Sequence, residues 1–312
     1  MIPADATGVY IISATPFTEA GEIDGASTDR LIDYYMRCGV TGITILGMLG
    51  EAPKLDTVES LGFAARVIKR AGALPVVVGV SAPGFAAMRV LARGATELGA
   101  AGVMIAPPAN CKTDDQIVTY FRQASEAIGT DIPFVIQDYP LASGVVMSLS
   151  VIQRIITDNA ACVMLKHEDW PGLEKITGLR RLESDGKLRR VPILCGNGGV
   201  FLDFELARGA DGAMTGYAFP ELLVRLCQLQ AAGDKQRLHQ LFDAHLPLMR
   251  YEQQPGIGLA VRKYVLMRRG LLASDTQRAP RSMLSPEARR EVDFLLETVL
   301  SKDAGVVLNV AR

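Results

Sequence analysis

The sequence has no excess of charge of either sign, since 33 lysines and arginines stand against 34 aspartates and glutamates in 312 residues. Such a chain has no overall field that would attract nucleic acid, an acidic membrane surface or another polyanion. Its apolar runs fall short of the roughly 20 residues that span a bilayer, and the N-terminus lacks the basic and apolar regions of a signal peptide. We therefore expect a cytoplasmic protein whose partner is a small molecule, with no nucleic-acid or membrane partner.

Cysteine and histidine are also scarce, with five and three residues. The cysteines are scattered, form no CxxC pair and have no histidine nearby in metal-ligand spacing, so neither a zinc site nor a disulfide framework is predicted. The glycine-rich segment LCGNGGVF at 194–201 matches neither GxGxxG nor the Walker A spacing. The sequence thus predicts reduced thiols, no metal and no nucleotide cofactor.

What the chain does contain is eight short apolar runs with longer helix-like segments between them. The runs begin at Val9, Gly42, Pro75, Gly102, Pro133, Cys162, Val191 and Gly212. They are apolar throughout rather than alternating, which is typical of parallel strands covered on both faces. Eight successive βα units with right-handed crossovers predict a (β/α)8 TIM barrel, with a doubly wound open sheet as the alternative. We assign residues 1–222 to the barrel and 223–312, where the pattern is helical only, to a C-terminal helical extension.

Residues that favour helix N-termini precede four of the intervening segments. They are Ser27 with Thr28, Asp56, Thr113 and Ser148. We predict that helices begin next to these positions.

Lys166 is the first candidate for chemistry, because it directly follows the apolar run CVML. The active site of such a barrel lies at the carboxyl ends of the strands, and a buried ammonium there is costly unless it is paired or neutral. A neutral lysine can attack a carbonyl and form an imine. Position alone also allows a lysine that reaches solvent or pairs with Glu168. Glu168 lies two residues further on and so on the same face, where it could be an acid, a base or only an ion-pair partner.

The turn GMLGE after the second run is a candidate ligand-binding loop. Gly47 and Gly50 flank Met48 and Leu49, and Glu51 closes the turn. Glycines would allow the backbone N–H groups of this turn to approach a ligand carboxylate.

Four motifs together form a pattern that resembles a known family. The segment TPF at 15–17, the turn 47–51, Lys166 and Gly196 together resemble the dihydrodipicolinate synthase / N-acetylneuraminate lyase superfamily, from Gly8 to the C-terminal helices. The resemblance implies a (β/α)8 barrel with a C-terminal helical bundle, an imine between Lys166 and a 2-keto acid, no dissociable cofactor, and a homo-oligomer, either tetramer or dimer. The substrate-binding residues that we expect on this basis are Thr15, Gly47, Met48, Leu49, Gly50, Glu51, Gln137, Gly196 and Thr215.

The chain departs from the synthases of this family at several positions. Met48 and Leu49 replace a Thr-Thr pair, so carboxylate binding would fall to the backbone N–H groups of Leu49 and Gly50. Gln137 replaces the catalytic tyrosine, and glutamine exchanges no proton near neutral pH. Tyr139, two residues further on, should share its face and could supply a phenol. Ala142 replaces an arginine that, in those synthases, recognises an aspartate-semialdehyde-type substrate.

Four segments are instead similar to the branch of 2-keto-3-deoxy-L-arabonate dehydratases. They are IQDYPLASG at 136–144, KHE at 166–168, AMTGYAFP at 213–220 and YEQQPGIG at 251–258. Our leading hypothesis is a Schiff-base lyase that dehydrates a 2-keto-3-deoxy sugar acid, with Lys166 as the imine-forming residue and Glu168 or Tyr139 as acid or base. The alternatives are a pyruvate-dependent aldolase or dihydrodipicolinate-synthase-type condensation and, in another class, a non-catalytic keto-acid sensor.

Overall fold

A computed structural model describes residues 1–310. Eight parallel strands follow one another in chain order around a closed barrel, and the last pairs with the first. The strands are β1 Gly8–Ile12, β2 Gly42–Ile45, β3 Val76–Gly79, β4 Gly102–Ile105, β5 Phe134–Asp138, β6 Cys162–His167, β7 Ile193–Cys195 and β8 Gly212–Ala213. This topology confirms the predicted (β/α)8 barrel and rules out the doubly wound open sheet.

Helices follow the strands and continue beyond the last one. They are α1 Gly25–Cys38, α2 Thr57–Ala71, α3 Phe85–Glu97, α4 Asp114–Ile128, α5 Pro140–Ser143, α6 Leu149–Asp158, α7 Leu173–Ser184, α8 Leu202–Ala207, α9 Pro220–Ala231, α10 Lys235–Glu252, α11 Gly258–Arg268 and α12 Pro286–Lys302. Within residues 1–310, none of these helices has both the length and the apolar character needed to cross a membrane.

Three of the four predicted helix starts are confirmed. The side chains of Asp56, Thr113 and Ser148 each accept a hydrogen bond from the backbone N–H group three residues further on. The first two form capping boxes with Glu59 and Gln116, which satisfies further orphan donors of the first turn.

The prediction for α1 was wrong. The helix begins at Gly25, and Asp24 rather than Ser27 caps it, because the Asp24 carboxylate accepts from the Ser27 N–H. A carboxylate at this position also interacts favourably with the positive end of the helix dipole. Ser27 and Thr28 instead lie buried in the first turn.

The predicted boundary at 222/223 falls inside α9. This helix packs against β1 and α1, so it is the eighth helix of the ring around the barrel. The barrel therefore extends to Ala231, and the extension consists of α10, α11 and α12. Because α10 also packs on the turn after β7, the extension reaches the carboxyl end of the barrel.

The apolar core has two parts, one inside the barrel and one between the strands and the helices. Side chains alternate along each strand, so every second residue points inward. Val135 of β5 and Met164 of β6 belong to the interior cluster. Gln137 and Lys166, two residues further on, consequently face the barrel axis at its carboxyl end.

Candidate active site

A cavity of about 770 Å³ opens at the carboxyl end of the barrel. Its walls come from the strand ends on one side and from α10, α11 and their connection on the other. The sequence-predicted residues that line it are Met48, Leu49, Gln137, Tyr139, Lys166, Glu168 and Thr215. The other predicted substrate-binding residues are not part of this lining. They are Thr15, Gly47, Gly50, Glu51 and Gly196.

Lys166 and Glu168 form a buried pair in this cavity. The Nζ atom of Lys166 lies 2.9 Å from Oε2 of Glu168, and each side chain is 6 % exposed. Gln137 lies directly opposite Lys166 in the pairing of β5 with β6, and its Nε2 donates to the same Oε2 at 2.8 Å. The backbone N–H of Asn197 donates to Oε1 at 3.1 Å. Two hydrogen-bond donors thus fix the Glu168 carboxylate beside the Lys166 amine.

Gly196 explains how Glu168 fits into this arrangement. A Cβ atom at position 196 would lie only 2.3 Å from Cγ of Glu168 and 2.5 Å from its Oε1. The backbone N–H of Gly196 meanwhile donates to the carbonyl of His167 at 2.8 Å. Gly196 therefore acts through Glu168: the missing side chain leaves the space that the carboxylate occupies.

Tyr139 lines the same cavity from the end of β5. Burial raises the pKa of its phenol, the negative charge of Glu168 adds to this effect, and the guanidinium of Arg262 opposes it. The phenol therefore carries its proton at neutral pH. A phenol two residues beyond Gln137 can thus reach the cavity, as its position in the sequence suggested.

The turn at 47–51 contributes less backbone to the cavity than expected. Met48 and Leu49 line it with apolar side chains. The N–H of Gly50, however, donates to the carbonyl of Gly47 at 3.0 Å, because the turn is a single 3-10 turn. This N–H is already used and does not provide the predicted carboxylate contact.

Thr15 and Glu51 hold the turn rather than line the cavity. The hydroxyl of Thr15 donates to the carbonyl of Gly50 at 2.6 Å. The carboxylate of Glu51 is 2.5 Å from Nζ of Lys263 on α11 and 2.9 Å from Nζ of Lys54, and it accepts from the backbone N–H of Arg278. The geometry does not support the predicted contact of these two side chains with substrate, since their polar atoms bond to the turn and to the C-terminal extension.

His167 points to the other side of β6, as its place between Lys166 and Glu168 predicts. It is fully buried, and its Nε2 lies 3.1 Å from the carbonyl of Gly172. It is a packing residue outside the cavity.

The sequence reasoning assigned no site role to the C-terminal wall. Glu252, Gln253 and Arg262 line the cavity from α10, its end and α11. Arg262 donates from Nε and Nη2 to Oε2 of Glu252 at 3.0 and 2.9 Å, and burial raises the pKa of Glu252 to about 7 against the opposing effect of Arg262. The only signal for this wall was the segment YEQQPGIG, which places charged and amide groups before a glycine-containing helix start.

The chain is similar to proteins of one known family. The model of the dihydrodipicolinate synthetase family matches residues 5–299. An L-2-keto-3-deoxyarabonate dehydratase of Azospirillum brasilense is 29 % identical over 290 residues, which cover 91 % of this chain and 92 % of that protein. A 4-hydroxy-tetrahydrodipicolinate synthase of Laribacter hongkongensis is 29 % identical over 251 residues, covering 76 % of this chain and 80 % of that protein.

A solved structure described as dihydrodipicolinate synthase from Rhodopseudomonas palustris has 61 % sequence identity and a TM-score of 0.94, with 95 % of this chain and 98 % of that chain covered. The closed eight-stranded barrel of this chain thus accompanies a family match that spans almost the whole chain. This protein belongs to the dihydrodipicolinate synthetase family, whose members are lyases built on the (β/α)8 barrel.

Proposed function

We propose that this protein is a Schiff-base lyase that dehydrates a 2-keto-3-deoxy sugar acid. The observation that carries the proposal is the buried pair of Lys166 and Glu168, 2.9 Å apart at the carboxyl end of the barrel. An amine that attacks a ketone carbon and a carboxylate that removes a proton from the neighbouring carbon must lie close to each other. The proposed chemistry uses the protein's own amine and no dissociable cofactor.

The proposed reaction begins with attack of the Lys166 amine on the C2 ketone, which releases water and leaves a protonated imine. Glu168 then removes a proton from C3, and the C3–H electron pair passes into the imine to give an enamine. The enamine electrons return to form the C3–C4 double bond while the C4 hydroxyl accepts a proton and leaves as water. Hydrolysis of the imine finally restores the amine.

Tyr139 is the proposed donor of that proton. Its phenol is protonated at neutral pH for the reasons given above, and among the described residues it has no hydrogen-bond partner that would hold it away from a ligand. Gln137 keeps Glu168 in place through the 2.8 Å hydrogen bond from its amide. The phenol and the carboxylate thus divide the acid and base roles.

The polar groups of the cavity favour dehydration over condensation. Met48 and Leu49 bring no hydroxyl to the site, and Gln137 cannot pass on a proton as a phenol can. The Azospirillum brasilense relative is a dehydratase by name, with 91 % of this chain covered. The second candidate is condensation of the dihydrodipicolinate synthase type, because the Laribacter and Rhodopseudomonas relatives carry that name.

Trapping of the imine tests the first half of the proposal. The protein is incubated with a panel of 2-keto acids and cyanoborohydride, and its intact mass is measured. We expect a covalent adduct with wild-type protein and none with Lys166→Met. Lys187→Met is the control, because Lys187 is an exposed lysine that pairs with Asp185. An adduct that persists in Lys166→Met would contradict the proposal.

Product analysis tests the second half. With a 2-keto-3-deoxy sugar acid, the proposed dehydratase releases a product lighter by one water and no pyruvate. Release of pyruvate would indicate an aldolase, and consumption of pyruvate with an aldehyde would indicate condensation. Binding without any product would favour a non-catalytic sensor.

We also propose a homo-oligomer, on the basis of the family resemblance alone. Light scattering coupled to size exclusion measures the mass in solution. A monomer at all concentrations would refute this part of the proposal.

A further inference from the structure

The C-terminal wall of the cavity holds a buried arginine with unused hydrogen-bonding capacity. Arg262 lies on α11, lines the cavity and is 3 % exposed. Its Nη1 atom is buried and has no hydrogen-bond partner among the described residues. A buried guanidinium donor without a partner lowers the stability of the fold, so its presence beside an active-site cavity suggests that a ligand accepts the hydrogen bond.

The orientation of the guanidinium follows from its contact with Glu252. Nε and Nη2 each donate one N–H to Oε2 of Glu252, so three N–H groups remain, one on Nη2 and two on Nη1, and those of Nη1 lie on another edge of the planar fork. A Cβ atom built on Gly216 would lie 3.0 Å from this Nη1 and 2.8 Å from Cδ1 of Leu49. Nη1 is therefore directed past Glu252 towards the turn at 47–51.

That turn lies where the substrate carboxylate was expected, and it has few donors left to offer. The side chains of Met48 and Leu49 are apolar, and the N–H of Gly50 is bonded to Gly47, so of the two backbone N–H groups expected to bind the carboxylate only that of Leu49 is left. Among the cations that line the cavity, Lys166 is assigned to the imine and Arg250 is exposed at the mouth. Arg262 is the buried cation that remains.

We propose that Arg262 binds the C1 carboxylate of the 2-keto acid through its Nη1 edge, in place of the missing hydroxyls at positions 48 and 49. This inference rests on the proposed 2-keto acid substrate. Glu252 is then a positioning residue, because it holds the guanidinium but its Oε2 is turned to the arginine. Guanidinium and carboxylate are well matched for charge-assisted hydrogen bonds.

The test compares two carbonyl compounds that differ in the carboxylate. Pyruvate carries it, and hydroxyacetone has a neutral hydroxymethyl group in its place. The concentration that gives half-maximal imine trapping is measured for wild type, Arg262→Gln and the control Arg268→Gln, which removes an arginine from the same helix that pairs with Asp293 at the surface. We expect the pyruvate value to rise at least about tenfold in Arg262→Gln only, with the hydroxyacetone value unchanged. An equal rise for both compounds, or no rise, overturns the assignment.

Folding is controlled with a second variant, since Arg262→Gln leaves the Glu252 carboxylate without its partner. The double variant Arg262→Gln/Glu252→Gln removes both charges and should show the same selective loss for pyruvate. Restoration of wild-type pyruvate trapping in this double variant would mean that Arg262 only compensates Glu252, and would refute carboxylate binding.

A third measurement separates this inference from the proposed function. Lactate carries the carboxylate but no ketone, so it cannot form an imine, and its binding is followed by the broadening of its NMR signals. Lactate binding that is lost in Arg262→Gln supports the carboxylate site even if no 2-keto acid is ever trapped on Lys166. Equal lactate binding by wild type and Arg262→Gln refutes the site whatever the trapping experiment gives.

Discussion

A methyl group added at Gly196 would take the space of the Glu168 side chain. In the structure that Cβ would lie 2.3 Å from Cγ, 2.5 Å from Cδ and 2.5 Å from Oε1 of Glu168. Carbon atoms pack at about 3.5–4.0 Å, so the carboxylate would have to move by about 1 Å or more. Gly196→Ala would therefore displace the carboxylate of Glu168, the proposed base, without changing its chemical identity.

The size of the effect follows from what holds Glu168. Its carboxylate receives hydrogen bonds from Gln137 at 2.8 Å and from Asn197 at 3.1 Å, and it lies 2.9 Å from the Lys166 amine. A misplacement of about 1 Å can cost roughly 100-fold in rate, so we expect turnover in Gly196→Ala to fall by about that factor. The three atoms nearest to the new methyl group all belong to Glu168, so trapping of the imine on Lys166 should persist.

Two assays with one set of proteins check this expectation. Turnover of the 2-keto-3-deoxy acid is compared with cyanoborohydride trapping for wild type and Gly196→Ala. Gly62→Ala is the matched control, because Gly62 is exposed in α2 and a Cβ there has nothing within 4 Å. That substitution should leave turnover unchanged and raise the free energy of unfolding by about 0.5–1 kcal/mol.

Unchanged turnover in a folded Gly196→Ala protein would refute the reasoning, since Glu168 would then not need its present position. Parallel loss of trapping and turnover would also contradict it, because the lysine itself would have been disturbed. Thermal unfolding monitored by circular dichroism establishes that the variant is folded.

Three further predictions concern Tyr139, Glu205 and Thr15. Tyr139→Phe should lower turnover at least about tenfold while imine trapping persists, because general acid catalysis contributes about 100-fold or more; unchanged turnover would assign the acid role to Glu168. Burial raises the pKa of Glu205 from 4.5 to about 7, so between these pH values the folded protein binds more protons and the free energy of unfolding falls as pH rises. Glu205→Gln should therefore raise the free energy of unfolding at about pH 8, by at most about 3 kcal/mol, and leave it unchanged near pH 4. Urea titrations at both pH values measure this difference, and equal effects at both would contradict the burial argument. Thr15→Val should lower the free energy of unfolding by about 1–2 kcal/mol in a urea titration at neutral pH, because the buried carbonyl of Gly50 loses its 2.6 Å hydrogen bond. An unchanged free energy of unfolding would mean that the turn is stable without this bond.

Much of the candidate site was predictable because its signals are local. The alternation of side chains along β5 and β6 places Gln137, Lys166 and Glu168 on one inner face, and the pairing of adjacent strands places the first two opposite each other. An apolar strand that ends on a lysine is visible in the sequence without any knowledge of distant residues. The pairing of Lys166 with Glu168 at 2.9 Å agrees with both readings that the sequence left open, and imine trapping distinguishes them.

The wrong role predicted for Glu51 and the missed C-terminal wall both depend on contacts between residues far apart in the chain. The sequence predicted that Glu51 binds substrate, but its carboxylate pairs with Lys263, 212 positions away. The segment YEQQPGIG was recognised by resemblance, yet its place over the cavity depends on how α10 and α11 pack. Nothing local indicates that Gln253 lies against Gly198, where a Cβ would come within 1.7 Å of its amide nitrogen.

By itself the sequence determined the barrel, the order of its strands and the lysine at the end of β6, because hydrophobic pattern and side-chain alternation act over a few residues. Tertiary structure alone decided which charges share the cavity: Arg262 and Glu252 reach it from α11 and α10, whereas Glu51 is drawn away from it by Lys263. The physical reason is that a buried charge takes its partner from whatever element packs against it, and that packing is a property of the whole fold.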